Sequence, residues 1–348
     1  MGEPNFFVVG APRAGTTSLW HYLRQHPDVL MPSTSDTKEP SHFADPLPTW
    51  AEPFRDRSAY LKLFATPGTE KAIGEASPTY LGSEGCAQRI HDAYPDARII
   101  ISLRQPARRA FSFYQYMCQW GLEWLPSFER ALEEEDDRLA DAEFQSDQAF
   151  WFGAFLYFRG SLYSNQVKQW VEVFPREQIH ILTFEDLKRS PLETTQKIYR
   201  FLDVDPDFIP AFWRANRSRA PAWPRLQHAL ARRWRNHPLF TTKAERARGR
   251  VVDRAVIPAL LAGNVLAGRW KKAVLHLKTE RRLLERYRSD IAQTAELTGC
   301  NLDHWFEPSP EPRPKSLAAN RIAGSILLQA IALRQTVPIE ELGDWIIG

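Results

Sequence analysis

The stretch that decides the fold is residues 6–23, which read FFVVGAPRAGTTSLWHYL. The apolar run 6–9 ends at Gly10, which predicts a short buried β-strand. A helix is expected to begin near Thr16 and to continue through the apolar positions that follow. Gly10 and Gly15 permit a tight turn whose backbone N–H groups face an anion, and the helix N-terminus adds the positive end of its dipole. The strand, turn and helix together predict a phosphate-binding loop.

This loop has the spacing of the Walker A motif, but Thr16 stands where that motif has lysine. In triphosphatases and kinases the lysine reaches the β- and γ-phosphates, and an Asp after a second strand helps to hold Mg²⁺. Here the second predicted strand, residues 97–103, is followed by Arg104, which would repel a metal ion. The loop therefore favours a nucleotide with fewer phosphates and no required metal, with Arg13 supplying positive charge. An ordinary strand–turn–helix, in which the glycines serve the turn alone, is the alternative.

Arg104 and Ser112 predict a second anion site. They lie in the segment that follows strand 97–103 directly, and the carboxyl ends of neighbouring strands in a doubly wound sheet share one crevice. The planar guanidinium of arginine binds phosphate through two parallel hydrogen bonds. One nucleotide with a 5′ anionic group at the loop and a 3′-phosphate at Arg104 and Ser112 would satisfy both sites.

The rest of the chain alternates strands with helices, which predicts an α/β fold: a P-loop-type, doubly wound, mainly parallel sheet flanked by helices, with a helical C-terminal extension. A third strand is expected at 179–184. The expected helices are 106–118, 127–135, 160–174 and 191–202, and a long loop is expected at 32–57. We assign residues 1–306 to one domain, of which 213–290 is mostly helical and basic, and residues 307–348 to a proline-rich linker and helical tail.

The amino-acid composition and the distribution of charge indicate which kinds of ligand and partner the protein has. The chain has 348 residues, 43% of them hydrophobic and 25% charged, which is enough apolar surface for a sizeable core. The net charge of +3 hides a basic run at 213–250, which favours anionic ligands. No RNA- or DNA-binding motif accompanies that run, so we expect no nucleic-acid partner and interpret the run as a lid over the nucleotide or a groove for an anionic acceptor.

Three widely spaced cysteines give no disulfide framework and no zinc spacing, which indicates a reducing compartment. The N-terminus lacks the pattern of a secretory signal, and the apolar stretch at 322–333 is too short to span a bilayer. We therefore expect a cytoplasmic protein with no membrane span. A homo-oligomer is compatible with the sequence.

The two anion-site motifs resemble those of the sulfotransferases that use 3′-phosphoadenylyl sulfate, closest to their bacterial branch and the related heparan sulfate enzymes. In that family a loop like 7–19 binds the 5′-phosphosulfate, and a segment like 101–114 binds the 3′-phosphate. The resemblance covers about residues 5–306. Further matching stretches are 38–43, 74–80, 163–187 and 287–305.

The resemblance implies which residues contact the donor. These are Arg13, Ala14, Gly15, Thr16, Thr17, Ser18, Arg104 and Ser112. Many relatives have lysine in the loop where this chain has Arg13. In a later segment, 216–222, the last arginine of the family pattern is missing, and Arg219 or Arg225 is the substitute; we include Arg219 among the donor-binding residues.

The resemblance also implies catalytic roles. Glu39 is the candidate base that accepts the acceptor's proton, since it lies in the family's base-bearing motif and a carboxylate's pKa is raised by burial. A cap on a turn or an ion pair with Lys38 is the alternative. His42 is the competing base because the ordinary pKa of histidine is nearer neutrality. Arg13 would stabilise charge on the leaving phosphate.

The acceptor pocket is expected to include Glu75, with Ser77 and Tyr80; for Glu75 a purely structural hydrogen bond to neighbouring backbone is the alternative. The implied reaction is in-line transfer of a sulfuryl group to a hydroxyl or amine of a carbohydrate, lipid or natural-product acceptor. It leaves adenosine 3′,5′-bisphosphate and requires no metal. The alternatives are a P-loop small-molecule kinase and a non-enzymatic protein that binds nucleotide or nucleic acid.

Overall fold

The computed structural model describes residues 2–34, 37–45, 49–65, 68–147, 152–212, 221, 223–235 and 274–308. The described residues belong to the compact unit Met1–Glu307, apart from residue 308, which belongs to a second unit, Pro308–Gly348. The domain boundary assigned from the sequence stays a prediction. Much of the basic segment 213–290 and the tail after residue 308 lie outside the described residues.

Within the described residues the sheet has five strands in the order β2-β3-β1-β4-β5, and every strand pair is parallel. The strands are β1 (Phe6–Gly10), β2 (Val29–Leu30), β3 (Ala72–Glu75), β4 (Arg98–Leu103) and β5 (Ile179–Thr183). The strand order reverses between β1 and β4, and ligands of open α/β sheets bind at the carboxyl ends of the strands at such a point. The predicted parallel α/β fold is confirmed.

Helices flank this sheet. In the described residues the α-helices are α1 (Thr16–Leu23), α2 (Arg57–Leu61), α3 (Cys86–Ala93), α4 (Pro106–Gln119), α5 (Phe128–Glu133), α6 (Glu135–Ala140), α7 (Ala142–Asp147), α8 (Ser164–Val173), α9 (Phe184–Arg189), α10 (Pro191–Leu202), α11 (Pro224–Arg235) and α12 (Leu277–Thr298). The 3₁₀ helices are Thr49–Phe54, Lys62–Phe64, Pro78–Gly82, Phe152–Phe155, Arg159–Ser161, Arg176–Gln178 and Asp303–Trp305. None of the described helices is long and apolar enough to cross a membrane.

Both faces of the sheet are buried, because side chains alternate along each strand. Phe7 and Ile99 lie in one core cluster, with side chains of α3, α4, α8 and α12. Phe6 and Ile100 lie in a second cluster, with side chains of α1 and α10. Burial on both faces explains why β1 and β4 are nearly continuous apolar runs, which made them predictable from the sequence.

Some boundaries differ from the predicted ones. The expected helix 160–174 begins at Ser164, because Asp290 of α12 accepts hydrogen bonds from the first backbone N–H groups of α8. The expected helix 127–135 is two helices, α5 and α6, that meet at Glu134. The described part of the expected loop 32–57 includes the 3₁₀ helix Thr49–Phe54, and Asp56 caps α2 directly after it.

Candidate active site

The loop between β1 and α1 is hydrogen-bonded to the end of β4. Ala11 N donates to Ser102 O at 2.5 Å, and the Ser102 hydroxyl donates to Ala14 O at 2.6 Å. Arg104 Nη1 donates to Arg13 O at 3.0 Å. Because β1 and β4 are adjacent and parallel, the loop and Arg104 meet at the same edge of the sheet. The residues of the two predicted anion sites therefore lie together at one edge of the sheet.

Two glycines allow the loop its shape. Gly15, at the N-terminus of α1, has a φ of 94°, in the left-handed region that favours glycine. Gly15 is the N-cap residue of α1 and has no side chain to accept a hydrogen bond from the first N–H groups of the helix. A Cβ atom at Gly10 would lie 2.5 Å from the Cβ atom of Leu81, closer than two side chains can approach. The strand end and the helix start thus both depend on glycine for close packing.

The Arg13 side chain lies along α4. Its Nε donates to Ser112 Oγ at 3.3 Å, and its guanidinium lies over the ring of Tyr116, 4.8 Å from the ring centre. Burial lowers the pKa of Arg13, and the nearby charges of Tyr116 and Glu39 oppose that lowering. Arg13 and Ser112, which the sequence assigned to opposite ends of the donor, are in direct contact.

Arg104 has an orphaned donor. Its Nε is buried and has no hydrogen-bond partner among the described residues, while its guanidinium lies 4.6 Å from the ring centre of Phe184. Burial lowers the pKa of Arg104 to about 10, a lowering that Glu185 opposes and Arg13 reinforces. A buried donor without a partner is costly, so the oxygen of an anionic ligand fits this position.

A third arginine, Arg109, contacts the backbone of the loop, and it was not named as a site residue from the sequence. It is buried, with Nε donating to Pro12 O at 3.2 Å and Nη1 donating to Ser161 Oγ at 3.0 Å. Arg109 precedes Ser112 by three residues in α4, so the two share a helix face. This three-residue spacing is the feature of the sequence from which Arg109 could have been placed beside Ser112.

The structure places the two candidate bases differently. Glu39 forms an ion pair with Lys38, and its side chain is 36% exposed. Its charge acts on Arg13 and on Tyr116, which places Glu39 beside the loop. His42 instead has its Nδ1 2.6 Å from Phe54 O.

The His42 ring stacks on Tyr60 at a centroid distance of 4.4 Å. Burial lowers the pKa of His42, an effect that the Phe54 carbonyl opposes.

The three predicted acceptor-binding residues are buried together. Glu75 Oε1 accepts hydrogen bonds from Tyr60 (3.0 Å) and Tyr80 (2.7 Å), and Oε2 accepts one from Ser77 (2.5 Å). Burial raises the pKa of Glu75 to about 7, although the three hydroxyls oppose it. In the described structure these side chains contact one another, and their assignment to the acceptor pocket stays a prediction.

The remaining donor-site residues line the start of α1. Ala14 and Thr16 are buried, and Thr17 and Ser18 are half-buried. Arg219 lies outside the described residues. In the part of the chain that the structure describes, no group of three or more His, Cys, Asp and Glu side chains is placed to hold a metal ion.

The chain is similar to known sulfotransferases. The sulfotransferase domain family matches residues 3–219. The membrane-associated sulfotransferase kil1 of Dictyostelium discoideum is 26% identical over 274 residues, covering 58% of this chain and 56% of that protein. Heparan sulfate glucosamine 3-O-sulfotransferase 5 of Mus musculus is 25% identical over 207 residues, covering 58% of this chain and 54% of that protein. The chain thus spans about half the length of these curated relatives.

A solved structure shows the same fold. The crystal structure of a sulfotransferase from Alicyclobacillus acidocaldarius aligns with a TM-score of 0.64 and 28% identity, covering 88% of this chain and 100% of that one. The family match includes β1, the loop, β4, Arg104 and Ser112, which are the elements that form the site described above. The chain belongs to the sulfotransferase family.

Proposed function

We propose that this protein transfers a sulfuryl group from 3′-phosphoadenylyl sulfate to a hydroxyl or amine of a small acceptor. The observation that carries the proposal is the hydrogen bond from Arg104 Nη1 to the backbone carbonyl of Arg13, which joins the ends of β1 and β4, together with Arg104 Nε, which is buried and lacks a partner in the described residues. Two arginines at one edge fit a ligand with two anionic groups. The donor has two such groups, the 5′-phosphosulfate and the 3′-phosphate.

The chain's residues would hold the donor at both ends. The loop N–H groups and the start of α1 suit the 5′-phosphosulfate, and Arg104 with Ser112 suits the 3′-phosphate. Arg13 lies between Ser112 and Tyr116, where its charge stabilises negative charge that develops on the leaving phosphate. Arg219 is retained as a further donor contact. No residue in this scheme requires a metal, and the leaving product is adenosine 3′,5′-bisphosphate.

Glu39 is the proposed base. Its carboxylate is partly exposed and its charge acts on Arg13, so it is both reachable by an acceptor and close to the donor loop. His42 is less well supported, because its Nδ1 is near the Phe54 carbonyl and its ring packs on Tyr60. For in-line transfer, the main tasks of the protein are to orient the acceptor and to accept its proton.

The acceptor class is a carbohydrate, a lipid or a natural product. Several relatives are heparan sulfate sulfotransferases, which supports a sugar hydroxyl or amine as one class to test. Cytoplasmic location and a homo-oligomeric state remain proposals from the sequence. The P-loop kinase is disfavoured because Thr16 replaces the Walker lysine and Arg104 follows β4, where a metal-binding Asp would be needed.

A screen of acceptors tests the proposal. The purified protein is incubated with sulfur-labelled donor and pools of sugars, lipids and natural products, and products are analysed by mass spectrometry for added sulfate. We expect a sulfated product with wild-type protein and none with the double variant Glu39→Gln, Arg104→Ala. Absence of any sulfated product across all pools, with the donor shown to bind, would contradict the proposal.

A further inference from the structure

The buried carboxylate of Glu75 is linked to the segment 39–43 through two of its three hydroxyl partners. Ser77 Oγ accepts a hydrogen bond from Ser41 N at 2.9 Å, and the Tyr80 hydroxyl accepts one from Phe43 N at 3.3 Å. Both hydroxyls also donate to Glu75. Glu75 is therefore the shared acceptor at the end of two chains of hydrogen bonds that begin in the backbone of this segment.

The direction of these hydrogen bonds is fixed by chemistry. A backbone N–H can only donate, so Ser77 and Tyr80 accept from the segment and their own protons go to Glu75. An ionised carboxylate has no proton to donate and accepts several hydrogen bonds, so Glu75 can accept from Ser77, from Tyr80 and also from Tyr60. Each member of the network thus depends on the charge and the position of Glu75.

The segment held in this way has an unusual backbone. Ser41 has a φ of 49°, in the left-handed region that side-chain-bearing residues seldom adopt, and its hydroxyl lies 3.0 Å from that of Thr79. Such conformations persist where surrounding contacts enforce them. Ser41 follows Glu39 by two residues, so the same contacts fix the direction from which Glu39 approaches Arg13.

We infer that Glu75 is a positioning residue that, through Ser77 and Tyr80, holds the segment 39–43 so that Glu39 is placed beside Arg13. This inference rests on the proposed role of Glu39 as the base. It assigns Glu75 a task other than contact with the acceptor. The charge of Glu39 also contributes to the raised pKa of Glu75, after the larger effect of burial.

Tyr60 and Tyr80 provide a matched pair of variants. Both are fully buried and both donate to the same oxygen, Glu75 Oε1. Of the two hydroxyls, only that of Tyr80 accepts from the backbone of the segment in the described structure. Tyr80→Phe therefore cuts one link to Phe43, whereas Tyr60→Phe removes a hydroxyl from the carboxylate and leaves that link in place.

We expect Tyr80→Phe to lower kcat by about tenfold relative to Tyr60→Phe, because small misplacements of a catalytic group are costly. The affinity of both variants for adenosine 3′,5′-bisphosphate, measured by calorimetry, should match that of the wild type. Equal kcat values for the two variants in an active enzyme would overturn the inference. A wild-type protein that binds donor but sulfates nothing would instead refute the proposed function.

Hydrogen exchange gives a second measurement that needs no turnover. Exchange at the backbone amides of 41–43 should be faster in Tyr80→Phe than in Tyr60→Phe, and equal exchange would contradict the link.

Glu75→Gln, assayed at pH 8, distinguishes a positioning role of Glu75 from a role in acceptor binding. Because the amide nitrogen can only donate, the Ser77 proton loses its acceptor, and kcat should fall with the acceptor KM unchanged. A raised acceptor KM with unchanged kcat would show that Glu75 binds the acceptor.

Discussion

Arg104 lies where the fold brings the end of β4 against the loop that follows β1. It follows β4 directly, its Nη1 holds the carbonyl of Arg13, and its Nε is buried without a partner in the described residues. Arg104→Ala should weaken binding of adenosine 3′,5′-bisphosphate by about 10- to 100-fold, the cost of losing a charged hydrogen bond. Binding of adenosine 5′-phosphate should change much less. Titration calorimetry measures both.

The control for this prediction is Arg130→Ala. Arg130 is an exposed arginine of α5 that pairs with Glu133, and its removal should leave both affinities unchanged. Equal losses of affinity for the two nucleotides in Arg104→Ala would mean that Arg104 shapes the loop and does not contact a 3′-phosphate.

Glu39 and His42 are separated by a second comparison at the residue scale. Glu39→Gln should lower kcat by about 10²- to 10⁴-fold, the usual contribution of a general base, with little effect on donor binding. His42→Gln, whose native side chain lies against Phe54 and Tyr60, should lower kcat far less. Single-turnover assays at saturating donor measure this difference. If His42→Gln has the larger effect, the histidine is the base.

Arg13 and Arg104 were easier to name from the sequence than the residues that support them. Arg13 and Arg104 lie in compact motifs directly after strands, where spacing along the chain is enough to place them. Arg109 contacts the carbonyl of Pro12, 97 residues away, and no local pattern specifies that contact. Glu75 was named from the sequence, but its link to the segment 39–43 depends on the contact of Ser41 with Ser77, 36 residues away, which no local pattern specifies either.

At the scale of elements, α12 stabilises the start of α8. Asp290 accepts from Tyr163 N at 2.8 Å and from Ser164 N at 3.0 Å, so a side chain of one helix caps the N-terminus of another. The Tyr163 hydroxyl in turn donates to Arg104 O at 2.8 Å. This cap therefore connects α12 to Arg104 through Tyr163.

Asp290→Ala should lower the free energy of unfolding by about 2 to 3 kcal/mol, because two buried N–H groups lose their acceptor. Urea unfolding followed by fluorescence measures the change. Glu285→Ala, at an exposed position of the same helix, is the control and should alter stability by less than about 0.5 kcal/mol. Equal stability of the two variants would show that α12 does not cap α8.

The strands differ in how well the sequence predicted them. Strands β1 and β4 are apolar runs buried on both faces, and β5 is a mainly apolar, partly buried edge strand; all three were recognised from their apolar residues. Strand β2 has two residues, and β3 has four with Gly74 among them, which is too little pattern to detect. Gly74 is required there, since a Cβ atom would lie 2.3 Å from Phe6 O. Because close packing of β3 against β1 requires glycine at position 74, β3 lacks the run of apolar side chains from which a strand is predicted.

For the molecule as a whole, Glu75 links stability to pH. Burial raises its pKa from 4.5 to about 7, so the folded protein binds more protons than the unfolded chain between these values. The stability that this neutral carboxyl provides is present below pH 4.5 and is lost as the pH rises through about 7. The wild type should therefore lose on the order of 3 kcal/mol relative to Glu75→Gln across that range, since one pKa unit corresponds to about 1.4 kcal/mol. Parallel curves from urea unfolding at several pH values would contradict the raised pKa.

We propose that Arg13 and Arg104, at the adjacent ends of β1 and β4, select a sulfuryl donor. The direct measurement offers the protein a mixed acceptor pool with sulfur-labelled 3′-phosphoadenylyl sulfate in one reaction and with γ-labelled ATP and Mg²⁺ in another. We predict label in an acceptor only from the sulfuryl donor, and loss of that transfer in Arg104→Ala. Transfer of phosphate from ATP, with no transfer of sulfate, would contradict the account.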